Sequence, residues 1–454
     1  MHHQLRRLLA LFLLCMLLAA CGAATSPTVT TKTTPTTAST PSLPSTASSP
    51  APYPTDTSSA DVCPRSLSFL SNCQTPQSMR IAYGIAPLIQ KGFTGKGQTV
   101  VDIVSFGSPT LQHDMDVFDN EFGLPPITIQ QIKPLNVPES DPHNDKAGWA
   151  SETTLDVEII HALAPDAGIV VLISPVAETE GTVGLPEFRQ LLQYSIDHKL
   201  GNIISQSWGA SELTLKDAAG QAEIQKWDAI YKQATTQGGL TILSASGDNG
   251  ATDYMDLAAT RLSPNPTTSF PADDPWVTAV GGTSLHRSNT HFSETAWDQS
   301  GGGFSAFFPA PSFQQNMSAS VQNVLKNRRG VPDVSGNADP STGLAMYQNG
   351  TWTLAGGTSA STPMWAALIA IGNQMAGHPL GFLNPTLYRL SQSPRYAQDF
   401  HDITVGNNSV NANGVVVTGY DAIAGWDAVT GVGSPNAANL LPDLIAATVS
   451  PGQG

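Results

Sequence analysis

Basic residues are scarce in this sequence: 21 Lys and Arg stand against 36 Asp and Glu in 454 residues, giving a formal net charge of −15 at pH 7. Nucleic acid and anionic membrane surfaces are therefore excluded as partners, because polyanions are recognised by clustered cations. Charged residues of both signs make up only 13% of the chain, so its charge changes modestly on acidification, which suits exposure to acid. Aromatic residues amount to 7%, too few for the exposed arrays of a carbohydrate-binding or cell-wall-binding surface. There are 4 cysteines, and only Cys63 and Cys73 follow the first segment of the chain. With no His pair beside them they do not make a metal site; in an exported protein they read as a short-range disulfide.

Export is read from the N-terminus. "MHHQLRRLLALFLLCMLLAAC" has a basic start, an apolar stretch too short for a stable membrane span, and small residues before Cys21, the pattern of a secretory signal. "LAAC" resembles the bacterial lipobox, in which the cysteine is lipidated; the other reading is an ordinary signal cut near Ala20 or Ala24. Residues 22–60 are almost wholly Thr, Ser, Pro and Ala, too poor in large apolar side chains to repay ordering entropy. The expected organisation is a signal at 1–21, a Pro-stiffened tether at 22–60 and a domain over 61–450, anchored at Cys21 to a cell surface or released outside the cell.

Within the domain, short β-rich runs alternate with helical periodicity. "QTVVDIVSF", "GIVVLISP", "NIISQSW", "LTILSAS" and "WVTAVGG" read as buried strands, and "SETTLDVEIIHALA", "GLPEFRQLLQYSIDHK" and "LKDAAGQAEIQKWDAIYKQATTQ" as helices. That alternation predicts an α/β fold with a mostly parallel sheet covered by helices, and ligands of such sheets gather at the carboxyl ends of the strands. No internal repeat or second linker interrupts residues 77–447.

"LAGGTSASTPMW", residues 354–365, poses the functional question. Hydroxyls at Thr358, Ser359, Ser361 and Thr362 open an apolar helix, with Pro363 suited to a first turn, so by its own flanks Ser359 reads as a helix cap before it reads as a nucleophile. A nucleophile needs a base, a group to orient that base and an oxyanion donor. Glu152 and Asp156 lie at i, i+4 and stack on one helix face; they are either an acidic first turn favoured by the helix dipole or a carboxyl pair able to share a proton. Asp248, in "LSASGDNG", follows a strand in a turn that Asp-Asn-Gly forms unaided, and a protonated carboxyl there would also serve a developing oxyanion.

These pieces, in this order, resemble the sedolisin family, the serine-carboxyl peptidases of subtilisin-like fold. The resemblance runs from "TPQSMRIAYGIAPLIQKGFTGKGQTVVDIVSFG" through "SQSWGASE", "SASGDNG", "SFPADDPWVTAVGGTSL" and "GGTSASTPMW" to "FHDITVGNN" and "GWDAVTGVGSPN". It implies a three-layer αβα domain acting on peptide or protein substrates as a monomer, with Ser359 as nucleophile, Glu152 as base, Asp156 orienting Glu152 and Asp248 at the oxyanion. A glutamate standing where neutral serine proteases use histidine places the chemistry in acid. The resemblance further implies substrate pairing along Ser207, Trp208 and Gly209, with Trp208 either supporting Glu152 or filling the core, and a flexible loop at "SGGGFS", 300–305. It also implies one Ca²⁺ held by the carboxylates of Asp402 and Asp427 and the carbonyls of Ile403, Ile423 and Gly425, an oxygen-only shell.

Three departures accompany the resemblance. Ile423 replaces a glycine of the calcium loop. Ser105 stands at the end of the first strand, where some members place an acid that extends the carboxyl network. A signal and linker are what precede Cys63 instead of a long folded prosegment, so either the enzyme folds without an intramolecular chaperone or latency comes from elsewhere. A neutral subtilisin-type peptidase would need a histidine in an "HGT"-like motif, and none of the 10 histidines sits in one; His161 is on the Glu152 helix but off its face. The remaining alternatives are a tripeptidyl-type exopeptidase and a catalytically inactive surface-binding protein, the latter marked by loss of a catalytic side chain, whereas all four are present.

Overall fold

The computed structural model describes residues 61–449 apart from 71, 289 and 290. The signal at 1–21, the lipidation candidate Cys21 and the linker at 22–60 lie outside the described residues.

The apolar runs form the core of an 8-stranded sheet. Its strands are β1 (Thr99–Ser105), β2 (Gln130–Ile132), β3 (Gly168–Ser174), β4 (Ile203–Gln206), β5 (Thr241–Ala245), β6 (Thr278–Ser288), β7 (His291–Ala296) and β8 (Val334–Asn337). They lie in the order β8-β6-β5-β4-β1-β3-β2, all parallel, and β7 adds antiparallel to β6. A strand covered on both faces has no polar side, which is why these segments read as continuous Val/Ile runs rather than as alternating ones. In β1, Val101 and Ile103 enter one core and Val100 and Val104 the other.

Helices cover both faces: α1 (Leu111–Phe122), α2 (Lys146–Leu163), α3 (Leu185–His198), α4 (Ala218–Thr236), α5 (Thr358–Ala376) and α6 (Ala437–Val449). Phe188 and Leu192 of α3 and Trp227 and Tyr231 of α4 pack on Val101, Ile103, Ile204 and Ile242. On the opposite face Val157 and Ile160 of α2 and Trp365, Leu368 and Ile371 of α5 pack on Val100, Val104, Leu243 and Val280. Helix α5 is buried along most of its length and carries no polar stripe, as befits a helix enclosed on all sides. Truncating Leu368 to Ala would cost about 2–5 kcal/mol for the same reason.

Two local expectations are corrected. Helix α2 begins at Lys146, so Glu152 occupies its second turn and the first turn holds no acid; the helix-dipole explanation of Glu152 therefore lapses. Pro363 falls inside α5 rather than in its first turn, because the helix already starts at Thr358. Cys63 and Cys73 are joined by a disulfide, as the sequence predicted.

Candidate active site

Strand β4 ends at Gln206 and β5 at Ala245, and the residues that follow each strand meet the N-terminus of α5. Here the cap question resolves. Gly357, at φ +85°, is the N-cap residue and uses no side chain. Thr358 Oγ1 donates to the Asp248 carboxylate at 2.8 Å, Ser361 Oγ to the Gly281 carbonyl at 2.8 Å and Thr362 Oγ1 to the Thr358 carbonyl at 2.9 Å. Of the four hydroxyls only Ser359 remains partly exposed, and it is the one that acts on the Glu152 carboxyl, holding it down against burial.

Pro363 explains a further contact. In an α-helix its N–H would bond the carbonyl of Ser359, four residues back, and proline has none. The freed Ser359 oxygen instead lies 3.4 Å from the hydroxyl of Ser207, which donates to Asp156 Oδ1 at 2.8 Å. Ser207 thus ties the end of β4 to both the carboxyl pair and the serine-bearing turn.

The carboxyls form a chain. Burial pushes Glu152 up, the Ser359 hydroxyl works against that, and the negative charges of Asp248 and Asp102 push in the same direction as burial. Asp156 is fully buried and is raised by burial first, then by the charges of Asp102 and Glu152. Asp102, in the middle of β1, completes the chain: it is fully buried, and its charge raises Asp156. No Lys or Arg pairs with Glu152, Asp156 or Asp102 among the described residues. Three buried carboxyls without a cation must share protons, because adjacent like charges cannot all persist in a low-dielectric site.

Asp102 was missed from sequence. At the strand's end Ser105 donates its hydroxyl to the Val176 carbonyl and accepts the Glu178 N–H, so it stands outside the carboxyl chain. The legible signal was an acid inside "TVVDIVS", a segment with no exposed face.

Asp248 is raised by burial, opposed by the Thr358 N–H, which donates to its Oδ1 at 2.7 Å. A Cβ on Gly357 would come 2.5 Å from Asp248 Oδ2, so glycine is what admits this carboxyl to the start of α5. The indole of Trp208 packs on Phe188 and Trp227, with ring centroids 5.0 and 5.6 Å away, in the α3/α4 core. Gly209 is exposed at the strand edge, where a Cβ would meet the Phe270 carbonyl oxygen at 3.0 Å. The 300–305 loop is packed rather than free, since a Cβ on Gly301 or Gly302 would lie 2.1 or 2.0 Å from the carbonyl oxygens of Ser246 and Ala428.

The calcium candidates also come together. Gly425 N–H donates to Asp402, and the N–H groups of Ile423, Val429 and Thr430 donate to Asp427, so the 423–430 loop folds around two carboxylates. Neither carboxylate has a Lys or Arg partner among the described residues, and Ile423 keeps its side chain 52% exposed, so it accommodates the glycine position without a clash. Among the described residues no group of three His, Cys, Asp or Glu side chains is placed to hold a metal ion, so an ion here would rest on two carboxylates and main-chain oxygens. That oxygen-only, uncompensated donor set fits Ca²⁺.

Comparison with known proteins agrees with this architecture. The model of the subtilase family (Peptidase_S8) matches residues 144–381. Kumamolisin from Bacillus sp. (strain MN-32) is 36% identical over 392 residues, spanning 84% of this chain and 65% of that protein. Human tripeptidyl-peptidase 1 is 32% identical over 312 residues, spanning 65% of this chain and 52% of that protein. This chain therefore spans between half and two thirds of the length of these relatives. The solved structure of Pseudomonas sedolisin, a serine-carboxyl proteinase complexed with two molecules of pseudo-iodotyrostatin, superposes with a TM-score of 0.70 at 26% identity, covering 83% of this chain and 99% of that one. The match across strands, loops and the serine-bearing helix means that the chain belongs to the subtilase family, as a sedolisin-type member.

Proposed function

We propose that this protein is a serine-carboxyl endopeptidase that works in acid. The observation that carries the reading is the convergence of the accessible Ser359 hydroxyl on Glu152, with Asp248 hydrogen-bonded to the adjoining Thr358. Ser359 Oγ attacks the scissile carbonyl while Glu152 takes its proton; the same proton then passes to the leaving amine, and water hydrolyses the acyl-enzyme by the reverse use of Glu152. Asp156 orients Glu152, is itself held by Ser207, and shares a proton with Asp102, so that one negative charge is available at Glu152 without three carboxylates having to coexist. Protonated Asp248 donates to the oxyanion, and the N-terminus of α5 adds its dipole.

Ser207, Trp208 and Gly209 offer backbone to an extended peptide, and the exposure of Gly209 supports that use. The carboxylates of Asp402 and Asp427, with carbonyls of Ile403, Ile423 and Gly425, would hold a structural Ca²⁺ away from the reacting atoms. Export, a lipid anchor at Cys21 and a monomeric state complete the proposal on sequence grounds. The test is cleavage of an unfolded protein across pH 3–8 by the intact chain and by Ser359→Ala. Activity confined to acid and lost on substitution supports the reading; internal fragments, as opposed to tripeptides released from the N-terminus, distinguish endopeptidase from exopeptidase action.

A further inference from the structure

Two asparagines stand side by side at 407 and 408, and the fold uses them differently. Asn407 is exposed, and its side chain accepts the Ser409 N–H at 3.0 Å, the ordinary turn-forming use of asparagine. Asn408 is fully buried, where an amide is costly unless its polar atoms find partners. All four of its polar atoms do. Its N–H donates to the Tyr420 carbonyl at 3.2 Å, and its Oδ1 accepts the Tyr420 N–H at 2.8 Å. The other two bonds reach distant segments: the Asn408 carbonyl accepts the Ala251 N–H at 2.9 Å, and Nδ2 donates to the Ser300 carbonyl at 3.0 Å.

Both of those partners surround Asp248. The 246–251 turn carries Asp248, and the 299–302 segment is bonded along it. Gly301 N–H donates to the Gly247 carbonyl at 2.7 Å, Ser246 Oγ to the Gly301 carbonyl at 2.7 Å, and Gly250 N–H to the Gln299 carbonyl at 2.9 Å. At Gly250, φ +62°, a Cβ would lie 2.7 Å from the Asn408 carbonyl oxygen and 3.0 Å from that of Asp298, so the turn sits as close to both as glycine allows. Ser300 is in turn seated on the sheet: its hydroxyl accepts the Gly282 N–H of β6 and donates to the Val429 carbonyl, each at 2.8 Å. The turn's other anchor is α5, where Thr358 bonds Gly247 and Asp248. Asn408 therefore bonds both the turn that carries Asp248 and the segment that braces that turn.

We propose that Asn408 is a positioning residue for the reaction: by joining the 246–251 turn to the 299–302 segment, it holds the Asp248 carboxyl where the oxyanion forms. This rests on the peptidase reading. A reacting constellation has to be held within about 0.5 Å of its productive geometry by the groups behind it, and Asn408 stands behind Asp248 without touching the substrate. Because the oxyanion exists only in the transition state, a loosened donor lowers kcat and leaves KM in place.

The test is a double-mutant cycle on the full chain, comprising Asn408→Ala, Asp248→Ala and the pair, each checked for a cooperative thermal transition. Ser300→Ala replaces Asn408→Ala if that variant does not fold, because it frees the same segment from β6 while keeping the buried amide. Asn408→Ala is expected to lower kcat about tenfold or more with KM within about twofold, and to cost less than about twofold in a chain that already lacks the Asp248 carboxyl. A general loss of packing would cost the same factor in both backgrounds. Equal factors, an unchanged kcat or a loss confined to KM overturns the proposal. Hydrogen exchange in the Ser359→Ala chain gives a readout independent of turnover. There Asn408→Ala is expected to speed exchange of the 246–252 amides about tenfold or more while the β5 amides keep their rate; unchanged exchange overturns the proposal. If the intact chain cleaves nothing, or Ser359→Ala cleaves as well as its parent, the peptidase reading falls by itself, and the exchange rates alone decide whether Asn408 holds the turn.

Discussion

Asp102 on β1 and Asp156 on α2 are both fully buried, and the charge of Asp102 raises Asp156, so a strand and the helix that carries Glu152 share one electrostatic site. Asp102→Asn replaces that carboxyl with a neutral amide, which favours ionised Asp156 and removes a charge that pushes Glu152 up. The acid limb of the kcat/KM profile is expected to move down by about one pH unit, with the maximal rate reduced less than tenfold. An unshifted profile would confine Asp102 to a packing role.

Asp248 works as an oxyanion donor only while protonated, and burial raises it above the ordinary carboxylate range. Asp248→Asn carries its donor at every pH, so activity is expected to extend toward neutrality relative to the parent. Asp248→Ala removes the donor and should lower kcat by about 10²–10³-fold. Equal pH profiles for the parent and the Asn variant would refute the protonated role.

Stability should follow the same groups. Burial raises both Asp102 and Glu152 above the ordinary carboxylate range, so over that range the folded chain binds more protons than the unfolded chain. An acid raised on folding stabilises fully below its unfolded pKa and loses that contribution as pH rises through its folded pKa. Calorimetry should therefore show the transition temperature falling as pH rises from about 4, the ordinary carboxylate range; a transition that rises over that window contradicts the assignment.

Much of this site could be read from the sequence, for identifiable reasons. Ser359, Glu152, Asp156 and Asp248 each sit in a segment whose local pattern is preserved in the fold: a hydroxyl-rich helix start, an i, i+4 pair and a turn after a strand. The five apolar runs became β1, β3, β4, β5 and β6 because burial on both faces leaves a strand no polar alternation to obscure it. Short β2, with its exposed glutamines, and the antiparallel β7 have no such signature, since tertiary pairing alone makes them strands. Asp102 escaped notice because periodicity scores a single acid among valines as noise, whereas the physical cost of burying it marks it as a partner of another group. The indole of Trp208 could not be placed, because residues on one strand alternate between faces and the register depends on Ser207 reaching Asp156.

Calcium gives a test independent of catalysis. Chelation should lower the thermal transition by several degrees, as expected when a ligand held only by the folded state is withdrawn. Asp427→Asn should bind less Ca²⁺ by titration calorimetry and lose its response to chelator. A chain whose transition ignores both treatments has turn-forming aspartates there and no ion.

The central claim is that Ser359 and Glu152 form an acid-working nucleophile and base. The most direct measurement is the rate at which the intact chain cleaves an unfolded protein between pH 3 and 8, beside Ser359→Ala and Glu152→Gln. The account predicts cleavage in acid that fades toward neutrality and falls by several orders of magnitude in either variant. A rate that peaks above pH 7, or that survives the loss of Ser359, would contradict it.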